Sequence, residues 1–443
     1  DRTNPRRAQS VRAARRWAGH AWRGGLGGMT VWDEVFDPQT VHRALDTHDL
    51  DAALVLGPHW RLVDPDLCDQ LVRRHTAGPE AAPLVFTPAA PGLAGAVIGK
   101  SLAADLAHAG DDAALYASIA GALGYVPVRP RLDPLASVGC VQAPPHVRDL
   151  AVRLIPDTPA SADLLRRLGR RLDAHASADN IARALRHIEA HSTPPAPSEI
   201  ILSLTTDTPF LRPLPGAAPT DHADPIAPDT ARDALDALLA AFPGAAVSFA
   251  GPGDALTRPD TPDLVARARS RGAAGVHVRT TLLSDQGRAR ACLDAGAEIL
   301  TVDLLANTAA AYHALSGVDR FRDALTALDA LLAGRSIDGG MPSPWIVPRL
   351  TRCDAVYDDI ESFYDKWCLL AGAAIIDPPE RTVQGERTAP LTPPPRARAV
   401  ERRRTLRVGP QHRSDASIRT VLTTDLADLW SRTVSADATG ARP

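Results

Sequence analysis

Cysteine is scarce in this chain, and the five present, Cys68, Cys140, Cys292, Cys353 and Cys368, lie scattered. No two stand in a CxxC spacing. That excludes a disulfide framework, and each thiol reads as a small core residue. Aromatic residues make up only 4%, which argues against stacking platforms for single-stranded nucleic acid. An excess of one charge is also lacking: 49 basic and 52 acidic residues leave a net charge of -3. No global basic field exists for nucleic acid or an anionic membrane surface. No apolar run approaches the ~18 residues of a spanning helix. The Arg-rich opening has no apolar segment of the secretory kind. The expected compartment is the cytoplasm, with neither membrane nor nucleic acid as partner.

Several motifs are missing as well. No HxH or HExxH occurs among the 14 histidines, and there is no G-x-S-x-G elbow and no Walker loop. The first residue is Asp1, so the chain reads as the remainder of a longer frame.

What is present is ample core material, 45% hydrophobic residues over 443 positions, enough for two or three domains. Adjacent prolines cannot join a helix or a central strand, so residues 191–198 (His-Ser-Thr-Pro-Pro-Ala-Pro-Ser) read as a linker. The expected domains are therefore 1–190 and 199–377, followed by a Pro- and Arg-rich stretch and polar tail over 378–443.

The middle segment alternates. Strand-length apolar runs cover 199–204, 245–251, 275–280, 298–304, 344–350 and 372–377. Amphipathic stretches lie between them, at 229–241, 261–271, 285–295, 320–332 and 358–371. Continuous apolar strands alternating with helices predict a parallel sheet. Periodicity leaves open whether the six units form a partial barrel or a doubly wound sheet. The first segment is also α/β: residues 52–57 and 83–87 read as buried strands, and 41–46 and 66–75 as helices. Asp64-Pro65 caps the second helix. Residues 162–191 read as two more helices.

Local motifs in the middle segment, in order, resemble the radical SAM family in its SPASM-type branch. The first strand ends in Leu204-Thr-Thr-Asp-Thr-Pro-Phe-Leu-Arg-Pro-Leu-Pro215. In that family this turn carries a CxxxCxxC motif for a [4Fe–4S] cluster, and the three positions align with Thr208, Arg212 and Pro215. None supplies a thiolate. Phe249-Ala-Gly-Pro-Gly-Asp254 resembles the family's glycine turn at the amino end of S-adenosylmethionine. The third strand, Val276-His-Val-Arg-Thr280, and the stretch Val302 to Tyr312 resemble further barrel segments. Phe363–Trp367 and Leu426–Trp430 resemble the last barrel helix and the end of the extension.

The resemblance implies a partial (β/α)6 TIM-like barrel of parallel strands and a ligand pocket at Asp207, Gly251, Gly253, Asp254, Thr280 and Asp303. With the thiolates replaced, no iron–sulfur cluster and no other resident cofactor is expected. S-adenosylmethionine remains a candidate ligand. Gly251 and Gly253 read equally well as a plain strand-ending turn.

The first segment resembles nucleotidyltransferases of the GT-A type, a Rossmann-like fold, around Ala53-Leu-Val-Leu-Gly-Pro-His-Trp-Arg-Leu-Val-Asp64. This implies a nucleotide or Mg²⁺ site at His59, Asp64 and Asp157, with the phosphate loop on a strand upstream of Asp1. Asp157 reads equally as a turn cap before Pro159.

Three functions follow. The leading one is a non-catalytic relative of radical SAM/SPASM enzymes, serving as a scaffold, as the partner of an active relative, or as a nucleotide-type ligand binder. The others are nucleotidyl- or glycosyl-transfer in the first domain, and non-radical chemistry where Asp207, Asp254 and Asp303 converge.

Overall fold

A computed structural model describes residues 38–113, 138–148, 150, 152, 154–156, 159–173, 175–191, 196–214, 226–338, 341–372, 374–377, 405–409 and 415–438. The chain divides into two compact units, with the boundary between Thr193 and Pro194. Described residues up to 191 form the first. Those from 196 onward, Met341 excepted, form the second.

The first unit runs α1 (Pro38–Thr47), β1 (Ala52–Val55), α2 (Pro65–Thr76), β2 (Leu84–Val85), β3 (Ala96–Gly99), α3 (Lys100–Ala113), α4 (Pro145–Arg148), α5 (Pro159–Gly169) and α6 (Ala178–His191). Helix α2 begins as expected: Pro65 occupies the first turn and the Asp64 side chain accepts the backbone N–H groups of Asp66 and Leu67.

The three strands form a sheet in the order β1-β3-β2, with β3 antiparallel to both neighbours. This departs from the Rossmann-like GT-A layer expected here; no parallel core is found among the described strands. The reason lies in residues 86–95. Parallel neighbours need a crossover of a dozen or more residues. This connection is shorter and holds Pro88, Pro91 and Gly92, with Gly92 at φ 101°. It returns the chain directly, and β3 therefore runs opposite to β2. A large apolar cluster, including Leu93, Leu150, Leu154, Leu168, Ile181 and Leu185, holds the helices together.

The second unit carries the alternating pattern. Its elements are β4 (Glu199–Leu202), α7 (Pro228–Ala241), β5 (Ala246–Phe249), α8 (Thr261–Ser270), β6 (Val276–Thr280), α9 (Gln286–Asp294), β7 (Ile299–Asp303), α10 (Ala309–Ser316), α11 (Phe321–Ala333), β8 (Ser336–Asp338), β9 (Met341–Ser343), β10 (Trp345–Thr351), α12 (Ile360–Ala371), β11 (Ile375–Asp377), β12 (Thr405–Val408), α13 (Ile418–Thr423) and α14 (Leu426–Ala438). All six expected strands are present and pair in parallel.

Strand order decides between the two architectures left open by the sequence. The large sheet reads β11-β10-β7-β6-β5-β4-β12. From β4 to β11 the order never reverses, whereas a doubly wound sheet reverses at a switch point. The sheet is a curled half-barrel.

Strand β12 is a correction. Residues 378–443 were expected to be linker and tail, yet Thr405–Val408 adds a seventh parallel strand, on the outer side of β4. Only its apolar residues Leu406 and Val408 are buried on one face, too short a run to stand out in sequence. Helices α13 and α14 then pack back on α7. Among the described residues, no helix is long and apolar enough to cross a membrane.

Candidate functional site

The two faces of the half-barrel sheet differ by residue parity. One parity is apolar and buried: Ile200, Leu202, Val247, Phe249, Val276, Val278, Leu300, Val302 and Ile346. The other is polar over much of its length.

Near the middle of the strands a buried hydrogen-bond chain crosses four neighbours. Ser248 Oγ donates to Glu199 Oε1 at 2.5 Å. His277 Nδ1 lies 3.0 Å from Ser248 Oγ, and its Nε2 lies 2.8 Å from Thr301 Oγ1. All four residues are buried, Glu199 to 1% exposure. Each buried polar group thereby finds the partner it needs.

One step nearer the carboxyl ends, a file of charges alternates across the next strands. Arg279 Nε donates to Asp303 Oδ2 at 2.8 Å. Arg349 donates to Asp303 Oδ1 at 2.5 Å and, through Nε, to Asp377 Oδ2 at 2.6 Å. The registers explain the file: Arg349 faces Asp303, and Arg279 faces Thr301 one step below. Burial alone would raise the Asp303 carboxyl. The charges of Arg279 and Arg349, with their hydrogen bonds, more than offset this and hold it below the ordinary 3.8. Burial opposes the Arg349 charge, yet Asp303 and Asp377 raise its pKa.

Among the expected pocket residues, Asp254 and Thr280 are brought together. Asp254 Oδ2 accepts from Thr280 Oγ1 at 3.1 Å, Thr281 N at 2.9 Å and Thr281 Oγ1 at 2.6 Å. Its Oδ1 accepts from Leu256 N at 2.9 Å. At 2% exposure this carboxylate ties two loops together and has little capacity left for a ligand.

The glycines belong to the same construction. A Cβ on Gly253 would lie 2.4 Å from Thr205 O, and one on Gly251 would lie 2.3 Å from Ser203 Oγ. Gly251 also has φ 151°, where side chains are strained. Both glycines let the loop after β5 press against the loop after β4.

Asp207 is exposed, and its carbonyl accepts Asp254 N at 2.8 Å. The three aspartates expected to converge do not do so as carboxylates. Asp254 turns to the threonines and Asp303 to the arginines, while Asp207 faces solvent. Among the described residues no group of three His, Cys, Asp or Glu is placed to hold a metal.

Thr208 and Arg212 are exposed on the loop after β4. Arg212 reaches the carbonyl of Ala314 with its guanidinium, and its backbone N–H lies 3.2 Å from Ser316 O. Leu211 N donates to the same oxygen at 2.8 Å. These carbonyls end α10, whose cap Gly317 is left-handed at φ 77°. A cation at a helix C-terminus meets the negative end of its dipole. Phe210 packs edge-on against Tyr312, ring centroids 6.0 Å apart, and completes the anchor. Pro215 lies outside the described residues.

This donor set does not fit a [4Fe–4S] cluster, which takes thiolates. The loop holds none, and Cys292 is fully buried on α9, its thiol pushed up to about 12 by burial and by the charge of Asp254. Among the described residues, Cys68, Cys140, Cys292 and Cys353 form no disulfide.

Three hydroxyls on or beside the polar face are buried without a partner: Ser203 Oγ, Thr351 Oγ1 and Thr405 Oγ1. Sequence reasoning singled out none of these and missed Arg279, Arg349, Asp377 and His277. The available signal was a charged or imidazole side chain inside an apolar strand, which requires a buried partner.

In the first unit the expected metal residues do not assemble. Asp64 uses both carboxylate oxygens on backbone N–H groups: Oδ1 on Asp66 and Leu67, Oδ2 on Ala178 at 2.6 Å. His59 is exposed on a turn. Asp157 lies outside the described residues.

No family model matches the sequence, and no curated protein does. Solved structures do. SuiB of Streptococcus suis bound to S-adenosylmethionine is similar at 12% identity and TM-score 0.35, over 51% of this chain and 52% of that one. Methylornithine synthase PylB is similar at 12% identity and TM-score 0.28, over 56% and 74%. HydG of Carboxydothermus hydrogenoformans, a hydrogenase maturase, is similar at 10% identity and TM-score 0.32, over 59% and 67%. The chain spans about half the length of the SuiB structures it matches.

Proposed function

We propose that the half-barrel unit is a non-radical relative of radical SAM/SPASM enzymes. It binds a small polar ligand of nucleotide type at the carboxyl edge of its sheet and serves as a scaffold or as the partner of an active relative. The observation that carries this reading is the fate of the loop after β4. Where a cluster would need three thiolates, Thr208 and Arg212 stand exposed, and Arg212 is committed to the carbonyls that end α10. The loop is anchored by these bonds and by Phe210 on Tyr312. At the sheet's carboxyl edge, Ser203 after β4 and Thr351 at the end of β10 keep buried hydroxyls that a polar ligand would satisfy.

The test has two arms. Purified protein treated anaerobically with iron and sulfide is expected to retain neither after desalting. Calorimetry with S-adenosylmethionine and with adenosine monophosphate is expected to show binding that weakens when Thr351→Val removes one hydroxyl. Stoichiometric iron and sulfide with reductive cleavage of S-adenosylmethionine would overturn the first arm. Absence of binding, or binding indifferent to Thr351→Val, would overturn the second.

The GT-A-type transferase reading of the first unit has less support, since Asp64 spends its carboxylate on backbone caps. Non-radical chemistry at the sheet edge has less too, because Asp254 and Asp303 are each fully engaged.

A further inference from the structure

We infer a second ligand site, in the first unit and separate from the reading above: a cleft that binds the phosphate groups of a small phosphorylated molecule. The cleft has a volume of about 400 Å³ and lies along the connection from α5 to α6 and one face of α6. Arg171, Asp173 and His175 come from the connection. Asn180, Arg183 and His187 come from the helix. Those three are spaced i, i+3 and i+7, which places them on a single face.

Charge is the first argument. Two arginines and two histidines share the cleft with one carboxylate. The arginines earlier on α5 are paired: Arg166 and Arg167 both meet Asp163, at 3.1 and 2.5 Å. Arg171 and Arg183 have no such carboxylate among the described residues. Cations brought onto one concave surface repel each other unless an anion sits between them. Guanidinium forks match phosphate oxygens in a bidentate fashion, and the Asn180 amide adds a neutral donor.

The floor is the second argument. Leu172, Ala176 and Ala184 line the cleft and pack against the apolar cluster that contains Leu168, Ile181 and Leu185. The cationic groups are therefore mounted on a fixed, partly apolar base, as in small-molecule sites of this size. A nucleic acid is the poorer match, because the chain has a net charge of -3 and few aromatic residues. The occupant is of mononucleotide or sugar-phosphate size.

Calorimetry on the full chain, with pyrophosphate, adenosine diphosphate and glucose 1-phosphate as probes, tests this. At least one probe is expected to bind. Arg171→Glu and Arg183→Glu are each expected to weaken binding by about 10- to 100-fold, while Arg232→Glu in the other unit leaves it unchanged. Tighter binding of the diphosphate nucleoside than of pyrophosphate would assign the apolar floor to the base and sugar. Equal binding would assign recognition to the phosphates alone. Both outcomes support the site. Both arginines are exposed, so the variants should fold, and circular dichroism checks that they do. Failure of all three probes to bind, or binding unchanged in the Arg171→Glu, Arg183→Glu double variant, would overturn the inference. Neither result depends on the half-barrel's ligand.

Discussion

Asp64 Oδ2 accepts the backbone N–H of Ala178 at 2.6 Å, while Oδ1 of the same carboxylate caps α2. One side chain thus starts two helices that are remote in sequence. Asp64→Ala removes both caps and leaves buried donors unpaired. The expected cost is about 2–4 kcal/mol, from one helix cap and one buried unsatisfied N–H. Asp64→Asn keeps one acceptor and should cost less. Thermal denaturation followed by circular dichroism measures both, and equal stability of Asp64→Ala and wild type would refute the double cap.

Asp303 is the hinge of the charge file. Its removal as Asp303→Ala leaves Arg279 without its carboxylate and Arg349 with only Asp377. A loss of about 3–5 kcal/mol is expected, as for other broken buried pairs. Asp303→Leu combined with Arg279→Met, Arg349→Met and Asp377→Leu should recover much of it, because no member of the charge file is then stranded. Urea unfolding of wild type and these two variants distinguishes this from a simple packing defect, in which the quadruple variant would be the worst.

The same residue predicts an acid dependence. The folded Asp303 pKa is held below the unfolded value of about 3.9 by Arg279 and Arg349. Its contribution is therefore complete above that unfolded value and is lost as pH falls through the lower folded value. The stability gap between wild type and Asp303→Asn should be constant from pH 7 to about pH 5 and close below about pH 4. Denaturant midpoints at four pH values would show it. A gap that closes instead between pH 5 and 7 would point to a histidine.

Gly253→Ala puts a methyl 2.4 Å from Thr205 O and 2.8 Å from Asp207 O, both backbone atoms that cannot swing aside. A destabilisation of about 1–3 kcal/mol is expected from the forced backbone shift. Gly272→Ala serves as a comparison, because a Cβ there meets nothing within 4 Å and only the strain of φ 82° remains. A smaller loss at Gly253 than at Gly272 would mean that the two edge loops are not in firm contact.

Cys292 should be chemically silent in the folded protein. It is fully buried, and its thiol is pushed up to about 12, so almost no thiolate exists at pH 8. Iodoacetamide followed by peptide mapping should label Cys140 before Cys292, which reacts only after urea is added. Rapid native labelling at Cys292 would contradict its placement on the inner side of α9.

The half-barrel was legible because parallel strands buried on both faces are continuous apolar runs, as Ala245–Gly251 and Glu298–Leu304 illustrate. Strand β12 was not, since its Arg407 and the arginines before it masked two buried side chains. Strand β3 went unseen because Ala96-Val-Ile-Gly99 is short and glycine-flanked, and without it the antiparallel first sheet could not be inferred. Of the candidate site, Asp254, Thr280 and Asp303 were legible as positions but not as roles. Their partners, Thr281, Arg279 and Arg349, are fixed by strand register, and register between strands distant in sequence is not written in any local pattern.

The pairing of β12 with β4 also orders events during synthesis. Strand β4 emerges from the ribosome first of the sheet, but its outer neighbour is translated after the other six strands. Until Thr405–Val408 is out, the row of amides and carbonyls along β4 has no partner, which is the kind of edge that recruits other chains. A message truncated before that codon would thus release six strands with an adhesive margin, giving quality-control proteases and chaperones a defined feature by which to tell unfinished copies from finished ones.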